Sequence, residues 1–315
     1  MDKRVIEEKL TLEDLLKTSP STEDPSAINE IAIVGAGVMG QGLAQTISAA
    51  GMDVLLLEKN EETLNLSKSM LSETMDREIK RWGMTKSEKK AILSRINWDT
   101  TIDKIADRDL IIEAVDEDFD LKVQIFSQLD KKAKKDCIFV SNSSTLSLTK
   151  ISETTSRPDK MIGLHFLNPV PKIPLVEVVK CVHTSNETIA KVKTFVSHIG
   201  KTPVEVYEYP GFVTTRAIVP LLNEAMHILQ EGIATARDID TAMKLGYNFQ
   251  MGPLEMADSM GLDEVLAWME TLWKTLGEPR YRACPIIRKL VRERKLGKKS
   301  GEGFYKYDEH GNIIS

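Results

Sequence analysis

Three glycines with the spacing of a phosphate-binding loop follow a short apolar segment. Ile31–Val34 runs directly into Gly35-Ala-Gly-Val-Met-Gly40, a strand pattern leading into GxGxxG. The first glycine permits a tight turn, the second lets the backbone approach a pyrophosphate, and the third lets the next helix pack closely on the strand. The N-terminus of that helix offers unpaired N–H groups to phosphates. The sequence therefore predicts a dinucleotide site at Gly35, Gly37, Val38, Met39 and Gly40.

An acidic residue at the end of the next apolar segment predicts which dinucleotide binds. Asp53–Leu57 is followed by Glu58, close to the offset of about 20 residues expected for a ribose-binding acid. A carboxylate there accepts hydrogen bonds from the adenosine ribose hydroxyls and repels a 2′-phosphate. The alternative is a solvated side chain at the end of a strand. The combined pattern favours NAD over NADP as the cofactor.

The elements that position these residues alternate between short β-branched segments and longer helical ones from Asn29 to about Tyr207. Such alternation is typical of βαβ units and predicts an α/β domain with a mostly parallel sheet. The predicted strands are Glu30–Val34, Asp53–Leu57, Leu110–Glu113, Cys137–Val140, Met161–Leu164 and Leu175–Val179. The helical segments between them include Gly40–Ala50, Phe119–Lys134 and Glu187–His198.

Two further features divide the chain. Glu61–Asn97 is too long for a simple crossover and predicts a helical insertion of two helices, broken near Trp82-Gly83. After Gly211 the apolar residues recur at three- and four-residue spacing, which predicts an all-helical C-terminal domain. Its predicted helices are Ala217–Gln230, Asp238–Lys244, Leu262–Leu276 and Pro285–Lys295. We therefore expect an N-terminal arm at 1–28, a nucleotide-binding domain at 29–207 and a helical domain at 208–315.

The arm at residues 1–28 does not have the pattern of a targeting signal. Acidic residues interrupt its apolar positions, whereas a secretory signal needs an uninterrupted apolar core. A short amphipathic helix followed by a polar linker is the favoured interpretation. Whether this arm is solvated or contacts a partner is left open.

Composition excludes several classes of protein. The 315 residues suggest about two domains. The net charge of −5 and the pI of about 5.7 argue against a nucleic-acid partner, and no apolar run is long enough for a membrane span. The 3 cysteines are too few and too scattered for a disulfide framework or a CxxC metal site, so we expect no metal and a cytoplasmic location.

A longer set of motifs carries a family resemblance. The segment Ile162–Pro171, continuing to Leu175–Val179, resembles the L-3-hydroxyacyl-CoA dehydrogenases. The other anchors are GAGVMG at 35–40, SNSS at 141–144, PGF at 210–212, MGPLE at 251–255 and KSGEGFY at 299–305. The resemblance implies a Rossmann-type NAD-binding domain, a helical domain that commonly forms a homodimer, an acyl-CoA substrate and an active site in the cleft between the domains.

The resemblance also implies the catalytic pair. Oxidation of a secondary alcohol needs a base for the hydroxyl proton, and an imidazole that titrates near neutrality suits that role. By its position in the motif His165 is this base, and Glu177 is the partner that fixes its tautomer and stabilises the imidazolium. From the residues alone, a hydrogen-bonded histidine at the end of a strand is the favoured interpretation.

Other residues match family positions with less specific motifs. Ser144 matches a serine that reaches substrate and nicotinamide, although a turn or N-cap role is the alternative. Asn142, Glu117 and Lys122 match positions that line the cofactor, but a Glu/Lys pair of this kind is commonly solvated. Asn168 lies in the His-Phe-Leu-Asn-Pro motif, where a role in substrate binding and a role in a turn remain open.

One position departs from the family pattern. After Pro-Gly-Phe the family usually has an asparagine just before the arginine, near the reacting oxygen of the substrate. Here Thr215 precedes Arg216, and Thr214 precedes that. Loss of a positioned donor costs on the order of 10²-fold in rate, so the substitution bears on substrate identity and efficiency, with Thr214 or water as possible compensation.

Coenzyme A carries several phosphates, so we expect basic residues near its site. The helical insertion and the segment Arg280–Lys306 are both rich in Lys and Arg. The resemblance favours the insertion, with Lys80 and Arg81 as the expected contacts, although a solvated face is the simpler interpretation of either segment.

The function predicted from the sequence is an NAD-dependent 3-hydroxyacyl-CoA dehydrogenase. Two alternatives remain open. The first is a dehydrogenase of a free 3-hydroxy acid of the carnitine or gulonate type, whose relatives tend to lose the Gly-Phe-Tyr motif that is intact here at 303–305. The second is a non-catalytic NAD-binding scaffold, favoured only by Thr215 and the N-terminal arm.

Overall fold

An eight-stranded sheet forms the N-terminal part of the computed structural model, which describes residues 28–81 and 83–314. The predicted arm lies outside these residues except for Ile28. The strands are β1 Ile31–Val34, β2 Val54–Leu57, β3 Ile96–Asp99, β4 Leu110–Glu113, β5 Ile138–Ser141, β6 Met161–Phe166, β7 Leu175–Lys180 and β8 Thr202–Tyr207. Their order is β3-β2-β1-β4-β5-β6-β7-β8, and only β6 and β7 pair antiparallel. The predicted α/β fold with a mostly parallel sheet is confirmed.

Six helices accompany the sheet among the described residues: α1 Val38–Ala49, α2 Glu61–Lys80, α3 Lys86–Ser94, α4 Phe119–Lys132, α5 Leu148–Ser152 and α6 Asn186–His198. Buried apolar side chains fill both faces of the sheet, because the inner strands alternate residues toward two separate layers of helices. Helices α2 and α3 are the predicted insertion. Asn60 caps α2 and Thr85 caps α3 with a capping box, so each helix has its own start signal.

Two strands differ from the sequence prediction. Strand β3 lies at the end of a segment that we predicted to be helical throughout, and in this strand only Ile96 is buried. Strand β8 was not predicted; in it only Val206 is buried, and it contains Pro203. Both are edge strands of the sheet. An edge strand needs little apolar alternation and tolerates proline, so neither strand has a clear pattern in the sequence.

The second half of the chain is helical, as predicted. Its helices are α7 Thr214–Gln230, α8 Ala236–Tyr247, α9 Pro253–Met260, α10 Leu262–Leu276 and α11 Pro285–Arg292. They enclose a core of their own. Helix α9 was not predicted, and it begins at Pro253 after Gly252, a common start for a helix.

Hydrogen bonds connect the Gly-Phe-Tyr motif near the end of the chain to this helical core. The buried Asp258 accepts hydrogen bonds from the backbone N–H groups of Phe304 and Tyr305 and from the hydroxyl of Tyr307. The hydroxyl of Tyr305 donates to Asp240 at 2.8 Å. Because these buried carboxylates have their partners in the tail, the motif holds the helical domain together rather than contributing a reacting group.

Membrane spans and metal ligands are the next two features of the described part of the chain. No helix there is long and apolar enough to cross a membrane. Residues 28–81 and 83–314 also hold no group of three metal-ligating side chains.

Candidate active site

The glycine loop connects β1 to α1, and two of its glycines are required by close packing. Gly35 has a φ of 99°, and a Cβ there would lie 2.7 Å from the carbonyl oxygen of Ala114. A Cβ at Gly40 would lie 1.8 Å from the carbonyl oxygen of Gly35. Around Gly37, in contrast, a Cβ would meet nothing within 4 Å. The loop is therefore tightly folded and open on the side where a pyrophosphate would approach.

The N-terminus of α1 is also free to bind an anion. Gly37 at the N-cap supplies no side-chain hydrogen bond, and the first turn contains no acidic residue. Val38 is 62% exposed beside this end, whereas Met39 packs against the core of the sheet. The free N–H groups and the dipole of the helix therefore fit the phosphates of a dinucleotide.

Glu58 follows β2 and faces the same loop. Its carboxylate accepts hydrogen bonds from the backbone N–H of Ala36 at 2.9 Å and from the hydroxyl of Thr63 at 3.1 Å. The carboxylate is thus not a free solvated side chain at the end of a strand. It lies beside the glycine loop, where a ribose would follow the phosphates.

We expect Glu58→Ala to raise the KM for NAD by about tenfold and to narrow the preference for NAD over NADP, because hydrogen bonds to charged groups are worth about 1.5–3 kcal/mol. The measurement is steady-state kinetics with both cofactors. Glu58→Gln is the matched control, since it removes the charge but leaves an oxygen for the N–H of Ala36. An unchanged cofactor preference in both variants would contradict the assignment.

His165 and Glu177 are directly opposite each other on the antiparallel pair β6 and β7. Residues in such register have Cβ atoms about 5 Å apart, so the twelve-residue separation in sequence becomes a contact. Nδ1 of His165 lies 2.6 Å from a carboxylate oxygen of Glu177. Both side chains are buried, at 4% and 1% exposure. With Nδ1 donating to Glu177, Nε2 is the ring nitrogen left to exchange a proton with a substrate.

Glu177 is held by the segment that leads into α7. One oxygen accepts from the backbone N–H groups of Val213 and Thr214, and the other accepts from the hydroxyl of Thr214 at 2.8 Å. Burial acts to raise the pKa of Glu177, but the hydrogen bonds from His165 and Thr214 outweigh it, so the pKa lies below its ordinary value. The carboxylate is therefore ionised.

Phe212 packs against the imidazole, and Thr215 lies three residues further along, in the first turn of α7. The ring of Phe212 packs 5.4 Å from the ring of His165, and its backbone adopts a positive φ of 45°. Thr215 is 3% exposed, and within the described part of the chain its hydroxyl forms no hydrogen bond. The hydroxyl of Thr214 already donates to Glu177. It is therefore not available to replace the amide donor that an asparagine at position 215 would supply.

Lys122 is buried, so the alternative of a solvated pair of Glu117 and Lys122 is excluded. Its side chain is 1% exposed, and its ammonium lies 2.6 Å from Glu113 and 3.2 Å from Glu117. Burial acts to raise the pKa of Glu117, but Lys122 and the hydroxyl of Ser143 outweigh it, so the pKa is lowered. Lys122 thus acts on the site through Glu117.

Glu117 in turn fixes the turn that contains Ser144. It accepts the backbone N–H groups of Ser144 and Thr145, both at 3.0 Å. The hydroxyl of Ser144 has no hydrogen bond to the described residues, so it is available to a ligand. Asn142, at the end of β5, accepts the N–H of Phe166 and so joins this turn to the strand that contains His165.

A cavity of about 1020 Å³ lies between α1, α2 and the loop that joins β6 to β7. Arg77, Arg81, Lys172 and Lys201 line it, together with Asn168. Lys172 is paired with Glu78 at 2.9 Å, so the walls carry an excess of positive charge. Of the two predicted basic residues, Arg81 lines this cavity and Lys80 does not.

The other basic segment of the chain is less available to an anion. Several of its cations are already paired, including Arg288 with Glu270 and Lys299 with Asp263. A second cavity of about 940 Å³ lies there, lined in part by Arg282 and Arg292. The predicted catalytic residues line neither of the two cavities.

This fold and site define a dinucleotide-dependent dehydrogenase: a Rossmann-type sheet with an open glycine loop and a buried imidazole–carboxylate pair. Family models agree over nearly the whole described chain. Residues 30–209 match the model of the NAD-binding domain of 3-hydroxyacyl-CoA dehydrogenase, and residues 211–307 match the model of its C-terminal domain. The chain belongs to the 3-hydroxyacyl-CoA dehydrogenase family, and its cofactor is NAD.

Individual relatives cover most of the chain. A probable 3-hydroxybutyryl-CoA dehydrogenase of Bacillus subtilis is 42% identical over 282 residues, which span 90% of this chain and 98% of that protein. Among solved structures, the (S)-3-hydroxybutyryl-CoA dehydrogenase PaaH1 of Ralstonia eutropha is 40% identical with a TM-score of 0.82. FadB2 of M. tuberculosis is 34% identical with a TM-score of 0.86. Each structural match covers 90% of this chain and 100% of the other.

Several residues of the site were not among the predicted site residues. Glu113 is a charged residue at the end of an apolar strand, and that pattern alone could have marked it. Arg77 is one basic residue among several on α2, and nothing in its spacing separates it from the others. Phe212 and Thr214 depend on how the segment before α7 folds over β7.

Proposed function

We propose that the protein oxidises an (S)-3-hydroxyacyl-CoA to the 3-oxoacyl-CoA with NAD, or catalyses the reverse reduction of acetoacetyl-CoA. The observation that carries this proposal is the contact of 2.6 Å between His165 and Glu177. A scaffold that only binds NAD has no need for a buried imidazole fixed in one tautomer by an ionised carboxylate. NAD supplies the hydride acceptor when it is bound.

In the oxidation, Nε2 of His165 takes the hydroxyl proton of the substrate while the hydride leaves for the nicotinamide. Glu177 stabilises the imidazolium that forms, and the same proton returns to the oxygen in the reverse direction. The hydroxyl of Ser144, which forms no hydrogen bond to the described residues, would contact the substrate oxygen and the nicotinamide, and Thr215 would lie near the reacting oxygen. We therefore assign His165, Glu177, Ser144 and Thr215 to the reaction.

The cavity beside α2 favours a coenzyme A thioester as the substrate. Its excess of positive charge suits the phosphates of coenzyme A, and Arg81 and Asn168 both line it. We assign these two residues to substrate binding, whereas the position of Lys80 outside the cavity gives that residue no support. A free hydroxy acid would leave most of this basic wall unused.

The deciding experiment is an NADH-consumption assay with acetoacetyl-CoA and longer 3-oxoacyl-CoA thioesters. The matched substrates are acetoacetate and other free acids at the same concentrations. We expect turnover with the thioesters and at least about 10²-fold lower kcat/KM with the free acids, because remote binding energy is used in catalysis. A preference for a free acid would favour the carnitine or gulonate type of enzyme, and no turnover with either would favour a scaffold.

We expect Thr215→Asn to raise kcat with acetoacetyl-CoA by about tenfold or more, because a longer amide can reach the reacting oxygen that the threonine leaves without a donor. The same thioester assay gives the measurement. Thr241→Asn, an exposed position on α8, is the control for a general effect of the substitution. A fall in kcat for every thioester would show that Thr215 is adapted to this chain's own substrate.

Three wider expectations belong to the same proposal. We propose that 29–207 binds the cofactor, that 208–315 closes the substrate cleft, and that two copies form a homodimer through the helical part. We further propose that the enzyme acts in the cytoplasm. Gel filtration and light scattering of the full chain test the oligomeric state.

A further inference from the structure

Lys201 is a buried ammonium that lines the same cavity and has no part in the proposed proton transfer. Its residue is 8% exposed and follows α6 after Gly200, whose φ is 74°. Its Nζ donates to three backbone carbonyls, those of Val170 at 2.7 Å, Pro171 at 3.3 Å and Ile173 at 2.8 Å. An ammonium has three N–H donors, so all are used. Within the described part of the chain, no carboxylate forms an ion pair with Lys201.

The three carbonyl groups belong to the loop between β6 and β7, residues 167–174. Prolines at 169, 171 and 174 remove backbone donors from this loop. The N–H groups of Lys172 and Ile173 both donate to the carbonyl of Pro169. The carbonyl group of Pro174 accepts the N–H of Thr202, whereas those of Val170, Pro171 and Ile173 accept from Lys201. Of these three residues Val170 is buried, and a buried carbonyl without a partner costs about 1–3 kcal/mol.

This loop forms one wall of the cavity proposed for coenzyme A. Asn168 lines the cavity at the start of the loop. Val170 packs against α1 so closely that a Cβ at Gly42 would lie 3.0 Å from it. The conformation of the loop therefore sets both the shape of the cavity and the position of Asn168, and the three hydrogen bonds from Lys201 hold that conformation.

We propose that Lys201 is a positioning residue for the acyl-CoA substrate, whose ammonium fixes the 167–174 loop and thereby Asn168. The inference rests on the proposed function. Lys201 touches no reacting group, and His165 is held independently by Glu177 within the sheet. Loss of the ammonium should therefore affect substrate binding more than the chemical step.

The test compares Lys201→Met with Lys193→Met by steady-state kinetics. Methionine keeps an apolar stem and removes all three donors. Lys193 is on the neighbouring α6 and pairs with Glu205 at 3.2 Å on the surface, so its variant removes one ammonium without touching the loop. We expect Lys201→Met to raise the KM for acetoacetyl-CoA at least tenfold, with kcat within about threefold and the KM for NADH within about twofold of wild type.

Other outcomes overturn the proposal. The proposal is wrong if the KM of Lys201→Met for acetoacetyl-CoA stays within about twofold of wild type. It is also wrong if the KM values for acetoacetyl-CoA and NADH rise equally, because that would mean a general loss of structure. If Lys201→Met does not fold, Lys201→Gln, which keeps two N–H donors, replaces it. This variant must raise the KM for acetoacetyl-CoA about three- to fivefold without a matching change in kcat or in the KM for NADH. Wild-type enzyme without thioester turnover contradicts the proposed function as well, whereas normal turnover with an unaffected Lys201→Met contradicts only the role of Lys201.

Discussion

Replacing His165 by glutamine is expected to lower kcat with acetoacetyl-CoA by about 10²–10⁴-fold, because the side chain that exchanges the proton is removed. Glutamine has a similar reach and its amide can still donate to Glu177, so the surrounding hydrogen bonds are largely kept. The binding of NADH should not change, since His165 does not touch the glycine loop. Turnover is measured by NADH consumption and cofactor binding by NADH fluorescence.

His183→Gln is the matched control for this variant. His183 is a surface histidine whose ring lies 3.4 Å from Glu153, and its side chain is 42% exposed. We expect its kcat to stay within about twofold of wild type. A loss below about tenfold in His165→Gln would mean that another group serves as the base.

The cofactor site could be predicted from the sequence because its rules are local. A strand, three glycines and the start of a helix occupy ten consecutive residues. The positive φ of Gly35 and the close approach of Gly40 to Gly35 are both requirements of this short segment. The structure shows those demands at Gly35 and Gly40 as contacts that no Cβ could make. Glu58 could be predicted for the same reason, since it closes the next strand.

The contact between His165 and Glu177 could not be derived from residue spacing. The sequence indicated two apolar strands but not their relative direction, and the pairing of His165 with Glu177 requires β7 to run antiparallel to a sheet that is otherwise parallel. The family motif supplied this contact in advance. Physical reasoning on the residues favoured an ordinary strand-end histidine, because antiparallel pairing in a βαβ domain has no local signal.

Burial of charge was the other property that the sequence did not indicate. A Glu and a Lys five residues apart are commonly solvated, yet Lys122 is enclosed because Glu113 approaches it from the end of β4. Lys201 is enclosed because prolines leave a neighbouring loop without donors. In both cases the partner comes from a distant element, so the interaction exists only after the chain has folded.

Replacing Glu177 by glutamine is expected to lower kcat by about 10²–10⁴-fold, because the imidazolium loses its counter-charge and the tautomer of His165 is no longer fixed. The effect on stability should also be large. The carboxylate accepts hydrogen bonds from four donors of His165, Val213 and Thr214. An amide must direct its own NH₂ group at some of them, which leaves buried donors unpaired at about 1–3 kcal/mol each.

The pH dependence separates the charge of Glu177 from its shape. Because the folded protein holds the pKa of Glu177 below its ordinary value of 4.5, the ionised carboxylate stabilises the fold above that pH, and this contribution is lost as the pH falls through the lowered pKa. Wild type should therefore lose its stability advantage over Glu177→Gln as the pH falls below about 4.5 in urea unfolding. Glu62→Gln, at an exposed position on α2 that forms no ion pair with the described residues, is the control. An advantage that persists unchanged at low pH would mean that the loss in Glu177→Gln comes from packing rather than from charge.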